Sequence, residues 1–242
     1  MSYSCKRRKT ESTPRIDGKK SVRRTSLMSE KNDLSEMRRD YHEGSLDEAS
    51  LDPDPITELK KWLELAASKN VVEPNAMTLA TADKNGMPNA RMVLCKGADA
   101  RGVVFYTNHR SHKGRDLAEN PQAALDFYWK ELARQVRIQG AVEQVGPSES
   151  DAYFASRPRS SQLGAWASDH QSAPVTHEAL EQRLHDLERK YDGTEVPRPP
   201  FWGGYRVIPQ RFEFWLGGAG RLHDCFAYER SGDAWTRARV SP

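Results

Sequence analysis

Apolar and polar residues change rhythm along the chain, and each change predicts a change of element. Asp54 then Pro55 reads as an N-cap with proline at the first helical position. Ile56, Leu59, Trp62, Leu63 and Ala66 follow on one apolar face, so a helix is predicted to about Lys69. From Ala76 to Val145 the pattern becomes short β-type runs: "MTLATA", "ARMVLCK", "GVVFYTN", "AALDFYW" and "RQVRIQGAVEQV". Turns such as "DKNGMP" and "GADARG" separate them, and closely spaced strands with short connections predict an antiparallel barrel rather than a wound parallel sheet.

One short helix interrupts these runs near Ser111. Ser148 is placed to cap another through Phe154. Thr176 caps a longer one, whose Ala179, Leu180, Leu184, Leu187 and Tyr191 form a packing stripe. After the proline-rich "EVPRPPFWGG" the chain returns to strands, "YRVIPQRFEFWLG", "CFAYERS" and "AWTRARV", with a hairpin turn at Gly232 and Asp233. The pattern shows no internal repeat.

Composition adds a tail and a compartment. Residues 1 to 28 hold nine Lys/Arg against Glu11 and Asp17, a charge of +7, which leaves 3 − 7 = −4 for the remainder. Almost no apolar residue lies among the clusters "KRRK" and "KKSVRR", so residues 1–36 are expected to be a disordered basic tail before one domain over 37–242. A plain solvated tail is the simpler reading; a nuclear-import or nucleic-acid arm is the sharper one, and "RRTS" fits a basophilic phosphorylation pattern. Cys5, Cys95 and Cys225 form no C-x-x-C pair, which speaks against a zinc site or a disulfide framework and for a reducing compartment. No apolar run approaches the ~20 residues of a membrane span, and no secretory signal is present. A cytoplasmic protein is expected, or a nuclear one if the tail acts in import.

Cationic and hydroxyl groups gather where phosphates are commonly held. Arg91 and Lys96 in "RMVLCK" would face opposite sides of a regular strand and serve two anions, or simply face solvent on an edge. Thr107, Ser111 and Lys113 surround a predicted helix N-terminus. Tyr153, Arg157 and Ser161 recur every four residues, although Pro158 breaks the helix that would align them, so they are expected to converge through a turn. Near the end, "FWLGGAGRLHDCF" projects Arg221 and His223 together just after two glycines.

These blocks, "RMVLCK", "VVFYTN", "RQVRIQG", "YFASRPRSSQLGAW", "FWGGYRV" and "EFWLGGAGRLHD", together resemble the pyridoxine 5′-phosphate oxidase family from about Met37 to Pro242. The resemblance implies an FMN-binding split β-barrel, mainly β with flanking helices, and a homodimer with flavin sites at the subunit interface. It assigns FMN binding to Arg91, Met92, Val93, Leu94, Tyr106, Thr107, Lys113, Gln135, Gln171, Ser172 and Trp215. It assigns the substrate phosphate to Lys96, Tyr153, Arg157 and Ser161, a lid to Arg38 through Tyr41, and the substrate ring to Arg221 and His223. The implied activity is oxidation of pyridoxine or pyridoxamine 5′-phosphate to pyridoxal 5′-phosphate, with oxygen reduced to hydrogen peroxide.

Two cofactor positions depart from the family pattern. His112 and Cys225 stand where the family usually has arginine, so the cofactor site loses positive charge. At roughly 1.5–3 kcal/mol per charged hydrogen bond, FMN affinity would fall on the order of 10²- to 10⁴-fold if the losses added. Arg110 and Arg115 flank His112 and are candidate replacements, and Cys225 is expected to be a semi-buried, inert thiol. The alternative function is a non-catalytic paralogue that binds pyridoxal phosphate and holds FMN weakly.

Overall fold

Antiparallel pairing throughout follows from short turns between strands that alternate inward apolar with outward polar residues. The computed structural model describes Met37, Asp40, Tyr41, and residues 44–169 and 173–242. Asp40–Pro242 form one compact unit. Helix α1 (Pro55–Ser68) precedes strands β1 (Ala76–Ala82), β2 (Pro88–Leu94), β3 (Gly97–Asp99) and β4 (Gly102–Asn108). Helix α2 (His112–Glu119) leads to β5 (Gln122–Trp129) and β6 (Arg134–Gln144), then α3 (Pro147–Ala155), α4 (Arg159–Ala167) and α5 (His177–Lys190). Strands β7 (Trp202–Leu216), β8 (Asp224–Ser231) and β9 (Ala234–Arg239) close the chain.

Among the described residues these nine strands form one sheet in the order β2-β1-β5-β6-β7-β4-β3, with β8 on β7 and β9 on β8. Strand β7 is its spine. One edge pairs with β6 from Tyr205 to Leu216; the other takes β4 over Trp202–Val207 and then β8 over Arg211–Leu216. The register shifts at Gln139/Gly140, where Pro209 opposite has no N–H to give the ladder. The sheet curls there into a half-barrel, the expected mainly β split-barrel architecture with flanking helices.

The concave face holds the core: Leu79, Phe105, Leu125, Phe127, Ile138, Phe212, Phe214 and Phe226 are all fully buried. Helix α1 packs Leu59 and Trp62 into it. The Trp62 indole donates to the buried Glu58 carboxylate at 2.7 Å, so its one polar atom is satisfied. A second cluster joins α3, α4 and the start of β7 through Phe154, Leu163, Phe201 and Trp202, with Leu184 and Leu187 of α5 packed on it. That makes the α5 stripe packing, as its spacing predicts. Arg206 of β7 is 2 % exposed and bridges Glu149 of α3 (3.0 Å) to Asp99 of β3 (3.2 Å) and Glu143 of β6 (3.5 Å).

Three local expectations need correction. Helix α3 begins at Pro147 with Gly146 as its cap, and no side-chain bond from Ser148 caps it. Pro158 does end that helix, but it also caps a new one, α4, which the periodicity does not announce. Part of the "GADARG" turn is strand β3, paired with β4. Among the described residues no helix is long and apolar enough to cross a membrane. The basic-tail expectation falls on residues outside the described set, as do Arg38, Gln171 and Ser172.

Candidate active site

The site residues fall into three groups. The first gathers around the start of α2, where Ser111 accepts the Gly114 amide as N-cap. A Cβ on Gly114 would sit 2.1 Å from the His109 carbonyl oxygen, so only glycine lets this turn seat so closely. The Lys113 ammonium donates to Thr107 Oγ1 at 3.3 Å and lies 3.5 Å from Ser111 Oγ. Arg91 reaches in from β2 and donates to Thr81 Oγ1 at 2.7 Å and to the Leu79 carbonyl at 3.2 Å.

Asp116, 3 % exposed, ties this group together. It accepts from Thr81 Oγ1 at 2.6 Å and lies 3.6 Å from Arg91 and 3.8 Å from His112 Nε2. One buried carboxylate therefore faces three cationic side-chain types. Burial first, then the charge of Arg91, holds the Lys113 ammonium below its ordinary value against the pull of Asp116. An anion would relieve that excess of positive charge. Arg110 and Arg115, the candidate replacements for the missing arginine, are engaged elsewhere: Arg110 with Asp169 at 2.9 Å, Arg115 with the Arg110 carbonyl at 2.7 Å.

The second group is an aromatic shelf with one arginine. Tyr106 stacks on Tyr153 at 3.9 Å between centroids and on Trp202 at 5.5 Å. The Arg157 guanidinium lies 4.7 Å over Trp202, and its Nη1 is buried with no hydrogen-bond partner among the described residues. Burial lowers its pKa, against the Tyr153 hydroxyl. Tyr153 is on α3 and Ser161 in the first turn of α4, so they approach through the Arg157–Pro158 turn. Lys96 is exposed just past β2 and Met92 is exposed on it, while Val93 and Leu94 are half-buried.

The third group lies at the far end of β7. Gln135, Trp215 and Cys225 are register partners across β6, β7 and β8, so they share one face. Trp215 contacts the His223 ring at 4.8 Å and Tyr41 at 5.6 Å. A Cβ on Gly217 would stand 2.6 Å from the Tyr41 ring, so glycine there lets the aromatic ring approach the sheet. Arg221 is exposed at φ 65°, a left-handed conformation that turns the chain between two strands. The Gly218 N–H donates to His223 Nδ1 at 3.1 Å, which fixes the neutral ring's proton on Nε2.

Beside this face Glu213 is bonded by Arg137 and, at 3.3 Å, by Arg211. Burial first, then Glu213, pushes the Cys225 thiol up to about 12, so it is protonated at neutral pH and a poor nucleophile. Asp126, which the sequence reading passed over, accepts the Gln135 amide at 3.1 Å and so fixes which end of that amide faces outward. Asp116 was also missed, although its spacing from His112 along a helix is a detectable signal.

Groups one and three do not meet within one chain. Thr107 pairs with Gly203 and Gln135 with Trp215, twelve residues further along β7, a strand path of about 40 Å. A concave cation cluster at one end and an aromatic, amide-bearing face at the other define the halves of a flavin site of the split-barrel class. The donor set fits FMN: a phosphate needs the cations and hydroxyls around α2, and a flat ring needs an aromatic face with a fixed amide.

Comparison with known proteins agrees. Residues 59–189 match the family model described as pyridoxamine 5′-phosphate oxidase. Residues 202–242 match that of the pyridoxine 5′-phosphate oxidase C-terminal dimerisation region. The chain is 53 % identical over 210 residues to the pyridoxine/pyridoxamine 5′-phosphate oxidase of Rubrobacter xylanophilus, covering 87 % of this chain and 97 % of that one. It is 52 % identical to the enzyme of that name from Paraburkholderia phymatum, covering 86 % and 99 %. Among solved structures, PhzG from Burkholderia lata, crystallised with tetrahydrophenazine-1-carboxylic acid, superposes with a TM-score of 0.76 at 35 % identity, covering 82 % of this chain and all of that one.

The chain belongs to the pyridoxamine 5′-phosphate oxidase family of FMN-dependent enzymes, and it carries that family's dimerisation region.

The substitution at position 225 has a measurable consequence. Cys225→Arg restores a cation beside Glu213 and is expected to tighten FMN binding about tenfold or more in a flavin-fluorescence titration of apoprotein. Unchanged affinity would show that position 225 does not reach the flavin.

Proposed function

We propose that the protein oxidises pyridoxine 5′-phosphate or pyridoxamine 5′-phosphate to pyridoxal 5′-phosphate, releasing hydrogen peroxide. Bound FMN would supply the redox capacity, taking a hydride equivalent from the substrate's C4′ carbon and passing two electrons to oxygen. Its phosphate would be held by Arg91, Thr107, Lys113 and His112 with Tyr106 and the backbone from Met92 to Leu94, and its ring by Gln135, Trp215 and the Cys225 position, with Gln171 and Ser172 completing the set. Because the phosphate and ring groups sit at opposite ends of β7, each site would draw one group from each subunit of the homodimer.

The chain's own residues do the positioning. Arg157 offers an unpartnered guanidinium N–H, and Tyr153, Ser161 and Lys96 add the hydroxyls and charge that a phosphate monoester accepts. Arg221 would fix the substrate ring and offset negative charge at its oxygen. His223, held neutral by the Gly218 N–H at Nδ1, keeps an Nε2 proton to donate. Tyr41, packed on Trp215 and His223, would exclude water from that face, with Arg38 beside it in sequence.

The observation that carries this reading is the buried, unpartnered Nη1 of Arg157 on an aromatic shelf. If that group holds the substrate phosphate, pyridoxine 5′-phosphate is expected to be oxidised with kcat/KM at least about 10³-fold above that of unphosphorylated pyridoxine. Equal turnover of both would contradict the assignment. Binding of pyridoxal 5′-phosphate without turnover at saturating FMN would favour the non-catalytic reading.

A further inference from the structure

His112 occupies the first position of α2, directly after the Ser111 cap and next to Lys113. Its imidazole is held from two sides. Nδ1 is 2.5 Å from the Asn89 amide nitrogen on β2, and Nε2 is 3.8 Å from Asp116 Oδ1. The remaining neighbours are charged: Asp83 in the β1–β2 turn acts on it electrostatically, Arg91 shares Asp116 from β2, and Lys113 and Arg115 flank it on α2. The ring is 58 % exposed at its side chain, so an anion reaches it from solvent, whereas Asp116 behind it is buried.

We infer that His112 is a proton-gated clamp on the FMN phosphate: it grips the phosphate as an imidazolium and releases that contribution when it loses its proton. This inference rests on the FMN reading above and adds the regulation of that site. Histidine changes charge near neutrality, unlike arginine or a lysine of ordinary pKa. In the neutral ring, with the Asn89 amide donating to Nδ1, the single proton lies on Nε2 and faces Asp116. A second proton on Nδ1 turns that atom from acceptor to donor and adds a full charge, which a phosphate oxygen is suited to accept. Asp116 stabilises the imidazolium from the opposite side, the arrangement in which a carboxylate orients a working histidine.

The sign is fixed by this chemistry. Protonation strengthens the clamp as pH falls, while the phosphate's own second ionisation, near pH 6, weakens binding over the same range for any protein. Ratios of affinities among variants remove the second effect, because it is common to all of them.

The experiment titrates apoprotein with FMN by fluorescence between pH 5.5 and 8.5, for wild type, His112→Arg and His112→Gln, with riboflavin as the phosphate-free probe. Glutamine keeps a hydrogen-bonding group without charge, and arginine keeps charge at every pH. Wild type is expected to bind FMN like His112→Arg at pH 5.5 and like His112→Gln at pH 8.5, with about a tenfold gap between the two variants throughout. Riboflavin affinity is expected to show no such crossover. A wild-type affinity in constant ratio to both variants across the range, or the same crossover with riboflavin, overturns the clamp. Absence of FMN binding in all three proteins, with unfolding curves showing them folded, would overturn the FMN reading itself.

Discussion

Arg157→Ala lowers kcat/KM for pyridoxine 5′-phosphate by about 10²- to 10³-fold, the loss expected when charged hydrogen bonds to a phosphate dianion disappear. The guanidinium lies over Trp202 and beside Tyr153 with one N–H buried and unpartnered among the described residues, so it enters the site with a donor already free of competing bonds. Its removal acts on the phosphorylated substrate alone. Residual oxidation of unphosphorylated pyridoxine, measured by peroxide release at saturating FMN, is expected to stay within about threefold of wild type. Arg157→Lys recovers only part of the loss, because an ammonium cannot reproduce the planar fork or its stacking on the indole. An equal fall with both substrates would mean that Arg157 supports the fold of the shelf instead of binding phosphate.

The second large effect is on stability. Arg206→Ala is expected to destabilise the protein by about 3 kcal/mol and lower Tm by roughly 10 °C, measured at matched protein concentration because the chain dimerises. The side chain is 2 % exposed and draws together Glu149 of α3, Asp99 of β3 and Glu143 of β6, so its loss leaves a cavity and clustered carboxylates. Those carboxylates are themselves well exposed, which tempers the electrostatic part, and Arg206→Met, which fills the volume, is expected to recover roughly half of the loss. Asp99 is held below the usual carboxylate range, first by the Arg101 hydrogen bond and further by Arg206. Its stabilising contribution is therefore present above the ordinary carboxylate pKa and fades as pH falls through the depressed value. That acid limb is expected to shrink in Arg206→Ala.

Much of the architecture was legible in the sequence because it is local. Asp54–Pro55, Ser111 and Thr176 are side-chain caps, and each starts a helix where the pattern placed it. Helix α4 was not legible: its cap is Pro158, which offers no capping side chain and, read from the preceding helix, signals only an end. The functional groups were legible as blocks, through their resemblance to a family, but not as a geometry. That Thr107 and Gln135 lie at opposite ends of one strand depends on β7 pairing with both β4 and β6, a long-range fact that no spacing carries. Asp116 and Asp126 were passed over because a single carboxylate on a helix or strand resembles any solvated charge. Only the folded chain shows Asp116 buried among Thr81, Arg91 and His112, and Asp126 against Gln135.

The departures at His112 and Cys225 act on the same cofactor from opposite ends of the chain's fold. One leaves a titratable cation and the other a buried, protonated thiol, so both weaken FMN binding without touching Arg157, Arg221 or His223. Lower cofactor affinity with the chemistry intact is the consequence for the enzyme.

The most direct measurement is to titrate purified apoprotein with FMN while following pyridoxal 5′-phosphate and hydrogen peroxide formed from pyridoxine 5′-phosphate. Turnover that rises with FMN to a plateau, with product and peroxide in equal amounts, is the expected result. A folded protein that binds no flavin, or binds it to saturation and makes no product, would contradict the account.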